Sequence, residues 1–499
     1  VRKPGWVRFF FHGFESMLNL ADVLDSTAAR LPANIAVSDG ERALTYAQLW
    51  QEVCLAAERL KVAGVCRDQM VGLQLGNSIA YIVLTYALWR CGAVVVPIPL
   101  EMRDIERSEL LCTMDLAAVV SGKVPSCADT DEGIDVAGTP VRVVALHERI
   151  APVRSKVNAA LVRFTSGTTN VNKGVVLSHE CILERITAAS AALHIGPGDS
   201  VIWCLPMVHH FVVTIIQYLW RGATIVLVRN TACEQFLDTI VENRGTVLYA
   251  SPFHYDALSK DGSGRAIPSV RMAISTTTAL SPETALRFHE RYGLRLIQAY
   301  GIIEVGLACV NLDDPAGRPT SAGRPAPGFR LRLVNESKYA GSGDGCGEIE
   351  VTGPGLFVAY FHPWMAAGEV MDGSWFHTGD VGRIDGGGFL FLQSRANSVI
   401  NIAGMKVFPE EIECALNEHS SVQEARAYAV KHAHLGEVVG ADVVLRRGAA
   451  PVTVEDLRMH CATCLSSFKV PNGIRFVDAI EKTLTTLKIK RPGARESLS

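Results

Sequence analysis

From Asn19 to Gly301 the chain keeps switching between two periodicities, and this alternation restricts its fold more than any other feature. Helical spacing of apolar residues runs through "NLADVLDSTAARL" and "TYAQLWQEVCLAAERLKVAG", followed by strand-like apolar runs such as "MVGLQL" and "AVVVPIPL". The pattern recurs at "ATIVLV", "GTVLYAS", "VRMAIST" and "LRLIQAYG", with helical segments between. Strands separated by helices predict parallel α/β layers.

From about Gly323 the texture changes to glycine- and proline-punctuated strands, "GFRLRLVN", "GEIEVTG" and "GFLFLQS". These predict a β-rich subdomain over about 323–394, closing an N-terminal region of 1–394. Beyond it, "PEEIECALNEH", "VQEARAYAV", "VVGADVVL" and "VEDLRMHCATCL" predict a compact α+β unit over 395–499. The expected fold class is α/β, with a large layered N-terminal domain and a small α+β C-terminal one.

Composition sets limits on function. Apolar residues make up 48% and charged residues 20% of the 499, enough for a large buried core. A net charge of −3 with no long basic run argues against nucleic acid as a partner. The 13 cysteines, an odd number, suit a reducing cytoplasm better than a disulfide framework. "CATC" at 461–464 has no second pair to complete a zinc site, so it reads as two thiols on a helix. The longest apolar stretch, "AYIVLTYALWRCGAVVVPIPL", is broken by Arg90, Cys91 and Gly92 and reads as a buried helix leading into a strand, not a membrane span.

The chemistry sits in "RFTSGTTNVNKGVVLSH", residues 163–179. Glycine and small hydroxyl residues let backbone N–H groups converge on an anion, and hydroxyls and a lysine add donors and charge. Asn172 and Gly174 exclude a P-loop of the NTPase kind. Four more segments follow in order: "AYGIIEVG" (299–306), "HTGDVGRID" (377–385), "SRANSVINIAGMKVFPEEIE" (394–413) and "TLTTLKIKR" (483–491).

Together these motifs resemble the adenylate-forming superfamily of acyl-CoA synthetases, luciferases and peptide-synthetase adenylation domains, over nearly all of Met17 to Arg491. The resemblance implies an acyl-CoA ligase. A carboxylate attacks Mg²⁺-bound ATP to give acyl-AMP, and coenzyme A then displaces AMP. It also implies roles for individual residues. Thr165, Ser166, Gly167, Thr168, Thr169 and Lys173 hold the β,γ-phosphates. Tyr300 stacks on adenine, Glu304 binds Mg²⁺, and Asp380 and Arg395 contact the ribose. His209, with His210 as its close alternative, lines the acyl pocket with Thr276 and Thr277. Gly404 borders the pantetheine tunnel, Asn397 is the hinge of a mobile C-terminal domain, and Lys488 supports adenylation. A weaker resemblance runs to ligases of bacterial natural-product clusters, including those for platensimycin-type diterpenoid acids.

Several positions depart from the family pattern. Asn170 and Asn172 stand where the loop carries Gly and Pro, and Ile303 replaces a threonine whose hydroxyl meets the α-phosphate. Thr276, Thr277 and Thr278 replace a run rich in glycine and alanine, and Ser394 replaces a glycine. In "EKTLTTLK" either Leu487 or Lys488 occupies the lysine position, and the flexible glycine is gone. These changes fall on the adenylating half of the reaction, whereas Tyr300, Asp380, Arg395 and Gly404 match. The expectation is therefore an acyl-CoA ligase working through an acyl-adenylate, either specialised for joining acyl-AMP to CoA with adenylation weak or absent, or a working two-step ligase whose motifs have drifted. The rivals are an adenylation domain that loads a carrier protein and a non-catalytic adenylate-binding protein. The acid and the oligomeric state are left open.

Overall fold

The computed structural model describes residues 18–102, 104–122, 132–146, 157–165, 173–339, 345–402, 405–432, 435–482, 489 and 494–495. Its larger part is built on two nine-stranded sheets. In one, the strands Leu296–Ile302, Met272–Ser275, Val247–Ala250, Ser200–Trp203, Thr224–Leu227 and Ile35–Ser38 run parallel in that spatial order. Gly306–Val310 and Ala43–Thr45 extend it antiparallel at either side. In the other, Ala159–Thr165, Val94–Pro97, Met70–Gln74 and Leu116–Ser121 form the parallel centre. Lys173–Ser178 adds antiparallel to Ala159–Thr165, so the two strands form a hairpin around the hydroxyl-rich loop.

The alternation read from the sequence is the physical basis of this part. Helix Tyr46–Val62 starts at a capping box, Thr45 with Gln48, and buries Leu49, Val53, Ala56 and Leu60 on one stripe. Helix Ile79–Arg90 is buried from Ile79 through Trp89 and feeds strand Val94–Pro97, as its uninterrupted apolar character predicts. The antiparallel strands Ala43–Thr45 and Gly306–Val310 were not expected; each follows its neighbour after a short turn with no helix between, at 39–42 and 303–305.

The β-rich segment forms a four-stranded antiparallel sheet of Arg330–Val334, Cys346–Thr352, Phe376–Ile384 and Leu390–Arg395. After it, hairpin strands Val422–His432 and Gly436–Leu445 and the parallel strand Gly473–Phe476 pack with helices Pro409–Asn417 and Val454–Cys464. This unit has its own apolar core, which includes Ile412, Leu416, Val439 and Leu457. It meets the β-rich sheet through Phe408, fully buried, whose ring stacks on Tyr339 at 6.3 Å. Of the "CATC" thiols, Cys461 is buried and Cys464 exposed on helix Val454–Cys464. No helix among the described residues is long and apolar enough to cross a membrane.

Candidate functional site

Asp380 lies in strand Phe376–Ile384 where the pairing with Cys346–Thr352 slips, so that Thr378, Gly379 and Asp380 bulge against Ile349. The Thr378 hydroxyl donates to the Ile349 carbonyl at 2.9 Å and accepts from the Asp380 N–H at 3.1 Å. Gly379 takes φ +73°, a backbone state most side chains avoid. A bulge of this kind re-aims a side chain, and here the carboxylate reaches a residue 80 positions away in sequence. Tyr300 Oη donates to Asp380 Oδ2 at 2.7 Å, and Arg395 Nε lies 2.8 Å from Oδ1. Arg395, the register partner of Asp380 on the next strand, also donates from Nη1 to the Thr378 carbonyl at 3.1 Å.

The structure thus joins three residues that the motifs placed far apart. Burial, with the Asp380 charge adding to it, pushes the Tyr300 phenol well up, so it stays a donor.

Glu304 sits in the tight return between strands Leu296–Ile302 and Gly306–Val310. Only glycine fits at 301, where a Cβ would lie 2.2 Å from the Gly306 carbonyl oxygen. The turn is held from outside by Arg185, which is 1% exposed on helix His179–Leu193. Its guanidinium donates to the carbonyls of Ile303 at 2.9 Å, Glu304 at 3.4 Å and Gly355 at 2.9 Å. The Glu304 carboxylate accepts from Tyr360 Oη at 3.3 Å. Burial raises this carboxyl above the usual range, opposed by the charges of Arg163 and Arg395. Burial likewise lowers the Arg163 guanidinium, to about 10, with Glu304 opposing. Arg163 also donates to the His209 carbonyl. Ile303 is 7% exposed, and its side chain carries no hydrogen-bond donor.

His209 and His210 end the short helix Met207–His210, which Asn77 fixes by donating to the Leu205 carbonyl and accepting from the Met207 N–H, each at 2.8 Å. Thr276, Thr277 and Thr278 follow strand Met272–Ser275. Thr277 adopts φ +80°, the conformation a glycine would take there, so the turn keeps its shape while a β-branched residue bears the strain. Asn397 falls in the single helical turn Ala396–Ser398 directly after Arg395.

Thr165 and Lys173 are register partners at the open end of their hairpin. Ser166, Gly167, Thr168, Thr169, Asn170 and Asn172 lie outside the described residues, as do Gly404, Leu487 and Lys488. Arg163, Arg185, Tyr360 and Thr378 were not singled out from the sequence. For Arg185 a signal existed: a charged residue on the apolar stripe of "ILERITAA", with Ile182, Ile186 and Ala189.

The AMP-binding enzyme family matches residues 24–361, and the family described as the AMP-binding enzyme C-terminal domain matches 411–486. A 2-succinylbenzoate–CoA ligase of Geobacillus sp. is 28% identical over 90% of this chain and 92% of its own. A sulfoacetate–CoA ligase of Cupriavidus necator is 29% identical over 88% and 90%. Among solved structures, the o-succinylbenzoate CoA synthetase of Bacillus subtilis in complex with its acyl-adenylate intermediate superposes with a TM-score of 0.81 at 22% identity, covering 94% of this chain and 96% of that one. ATP-bound MatB from Rhodopseudomonas palustris gives 0.79 at 24%, covering 94% and 97%. Both share the α/β fold, with its large N-terminal part and smaller C-terminal part.

Proposed function

Because the chain belongs to the AMP-binding enzyme family of the adenylate-forming superfamily, we propose that it is an acid–CoA ligase working through an acyl-adenylate. The observation that carries this reading is the Tyr300–Asp380–Arg395 assembly, a phenol and a guanidinium on one 9%-exposed carboxylate. Such a group suits an adenosine: an aromatic face for the base and a fixed carboxylate for two ribose hydroxyls. CoA ligases aligned over about nine-tenths of the chain support it.

Glu304, a hard oxygen ligand in a half-buried turn, fits a Mg²⁺ shared with substrate phosphates. The ion would neutralise phosphate charge as the carboxylate attacks. Arg163 would bias the same turn toward anions, Thr165, Lys173 and the loop between them would cradle the β,γ-phosphates, and His209 or His210 would face the acyl group. The unit from 395 on, hinged near Asn397, would carry Gly404 to the thiol channel and Lys488 to the adenylating centre. Among the described residues, cysteines 54, 66, 91, 181, 204, 233, 309, 346, 414, 461 and 464 are free, which supports a cytoplasmic setting.

Within this activity, the thioester-forming half is the more secure. Ile303 has no hydroxyl for an α-phosphate, and the substitutions at Asn170, Asn172 and Leu487 fall on the same half. Losing one well-placed donor costs roughly 3 kcal/mol, about a hundredfold in rate. The test supplies either ATP with an acid or a synthetic acyl-AMP, each with CoA or a phosphopantetheinyl carrier protein, across a panel of acids. Thioester on CoA supports the ligase. Transfer to the carrier alone, or adenylate binding without transfer, would replace it with one of the two rival readings.

A further inference from the structure

Resting on the ligase reading, we propose that the acid carries, besides its reacting carboxyl, a second oxygen acceptor that is hydrogen-bonded by Trp203 Nε1 and Tyr218 Oη. Trp203 and Tyr249 are register partners on adjacent parallel strands, so their side chains share one face of the sheet. Their rings stack at 5.3 Å with 14° between planes. Tyr218, from helix Ile215–Arg221, meets Tyr249 at 6.5 Å. His210 closes the group at 6.1 Å from Trp203 and 6.3 Å from Tyr249. The cluster adjoins the threonine turn, because Tyr249 and Ala250 pair with Ile274 and Ser275, the residues directly before Thr276.

Trp203 and Tyr218 are both 0% exposed, yet neither Trp203 Nε1 nor Tyr218 Oη has a hydrogen-bond partner among the described residues. Thr277 Oγ1, on the strained turn, is buried and unpartnered in the same sense. Buried donors left unmade cost free energy that evolution rarely leaves uncompensated. An indole N–H can only donate. Burial pushes the phenols of Tyr218 and Tyr249 up, Tyr249 to about 12, so both keep their protons near neutrality. The protonated Tyr218 hydroxyl can donate beside the indole, so the group that satisfies both is an acceptor: a carboxylate, keto or sulfonate oxygen. A plain hydrocarbon acid would leave the donors stranded, and sites of this kind discriminate strongly against the analogue lacking the polar group.

The experiment compares the full chain with Trp203→Phe and Tyr218→Phe, which keep an aromatic ring at each position and remove one donor each. Probes are matched acids with and without the second group: pentanoate, 4-oxopentanoate, glutarate and 3-sulfopropionate, and benzoates substituted in the same way. Calorimetric affinity and kcat/KM for thioester formation are both read. The expected result is a preference for at least one acceptor-bearing series, cut roughly tenfold or more by either substitution, with the plain acids nearly unchanged. The series preferred identifies the acceptor. The proposal is overturned if the full chain shows no preference or binds no acceptor-bearing acid, or if the substitutions weaken both members of a pair equally. If acids bind with discrimination but no adenylate or thioester forms, the ligase reading fails while the pocket assignment stands.

Discussion

Asp380 is held between the Tyr300 phenol and the Arg395 guanidinium, and its carboxyl group is thereby positioned before any nucleotide arrives. Asp380→Ala is expected to lower acyl-AMP affinity at least tenfold, since hydrogen bonds to a charged group are worth about 1.5–3 kcal/mol each. Asp380→Asn, which keeps the shape, should lose less. Unchanged calorimetric affinity in a folded Asp380→Ala variant would remove the ribose assignment. Thr277 presents the opposite case, a residue whose backbone works against stability. At φ +80° a β-branched side chain carries roughly 1–3 kcal/mol of strain, while glycine's entropic penalty is about 0.5–1 kcal/mol. Thr277→Gly should therefore stabilise the fold by about 1 kcal/mol, read as a higher unfolding midpoint in urea. A lower midpoint would mean that the threonine turn is not strained.

At the scale of elements, helix Leu20–Arg30 is tied to helix His179–Leu193 by one hydrogen bond, from the Leu20 N–H to His179 Nδ1 at 3.1 Å. Burial lowers this imidazole from 6.5 to about 4, so it is folded in its neutral form. Between those values the unfolded chain binds a proton that the folded chain refuses. Stability is therefore complete above pH 6.5 and falls as pH falls toward 4, by up to about 3 kcal/mol. His179→Gln should flatten that dependence in urea unfolding; an unchanged slope would assign the acid sensitivity elsewhere. The elements themselves were legible because periodicity survives in a single chain: helix Tyr46–Val62 and strand Met70–Gln74 follow their apolar spacing. The residues of the site were legible as ordered motifs, and Tyr300, Asp380 and Arg395 do meet. The supporting contacts were not. Arg185 reaches carbonyls 118 to 170 positions away, and Tyr360 reaches Glu304 across 56, distances over which no local pattern carries information. The positive φ of Thr277 was hidden because β-branched residues rarely adopt it.

At the scale of the molecule, two independently cored parts meet at the Tyr339–Phe408 stack beside the strand that ends in Arg395. A ligase with two half-reactions needs the smaller part to serve both, and placements of a mobile domain commonly set such rates. Tyr300, Asp380 and Arg395, the residues proposed to grip an adenylate, meet one another, whereas Asn170, Asn172, Ile303 and Leu487 are the positions proposed to weaken the handling of ATP phosphates. The most direct measurement compares two rates with one acid: pyrophosphate exchange, which sees only adenylation, and thioester formation from the corresponding synthetic acyl-AMP and CoA. The account predicts rapid thioester formation and exchange slower by about a hundredfold. Exchange as fast as thioester formation would contradict it and leave a ligase equally competent in both halves.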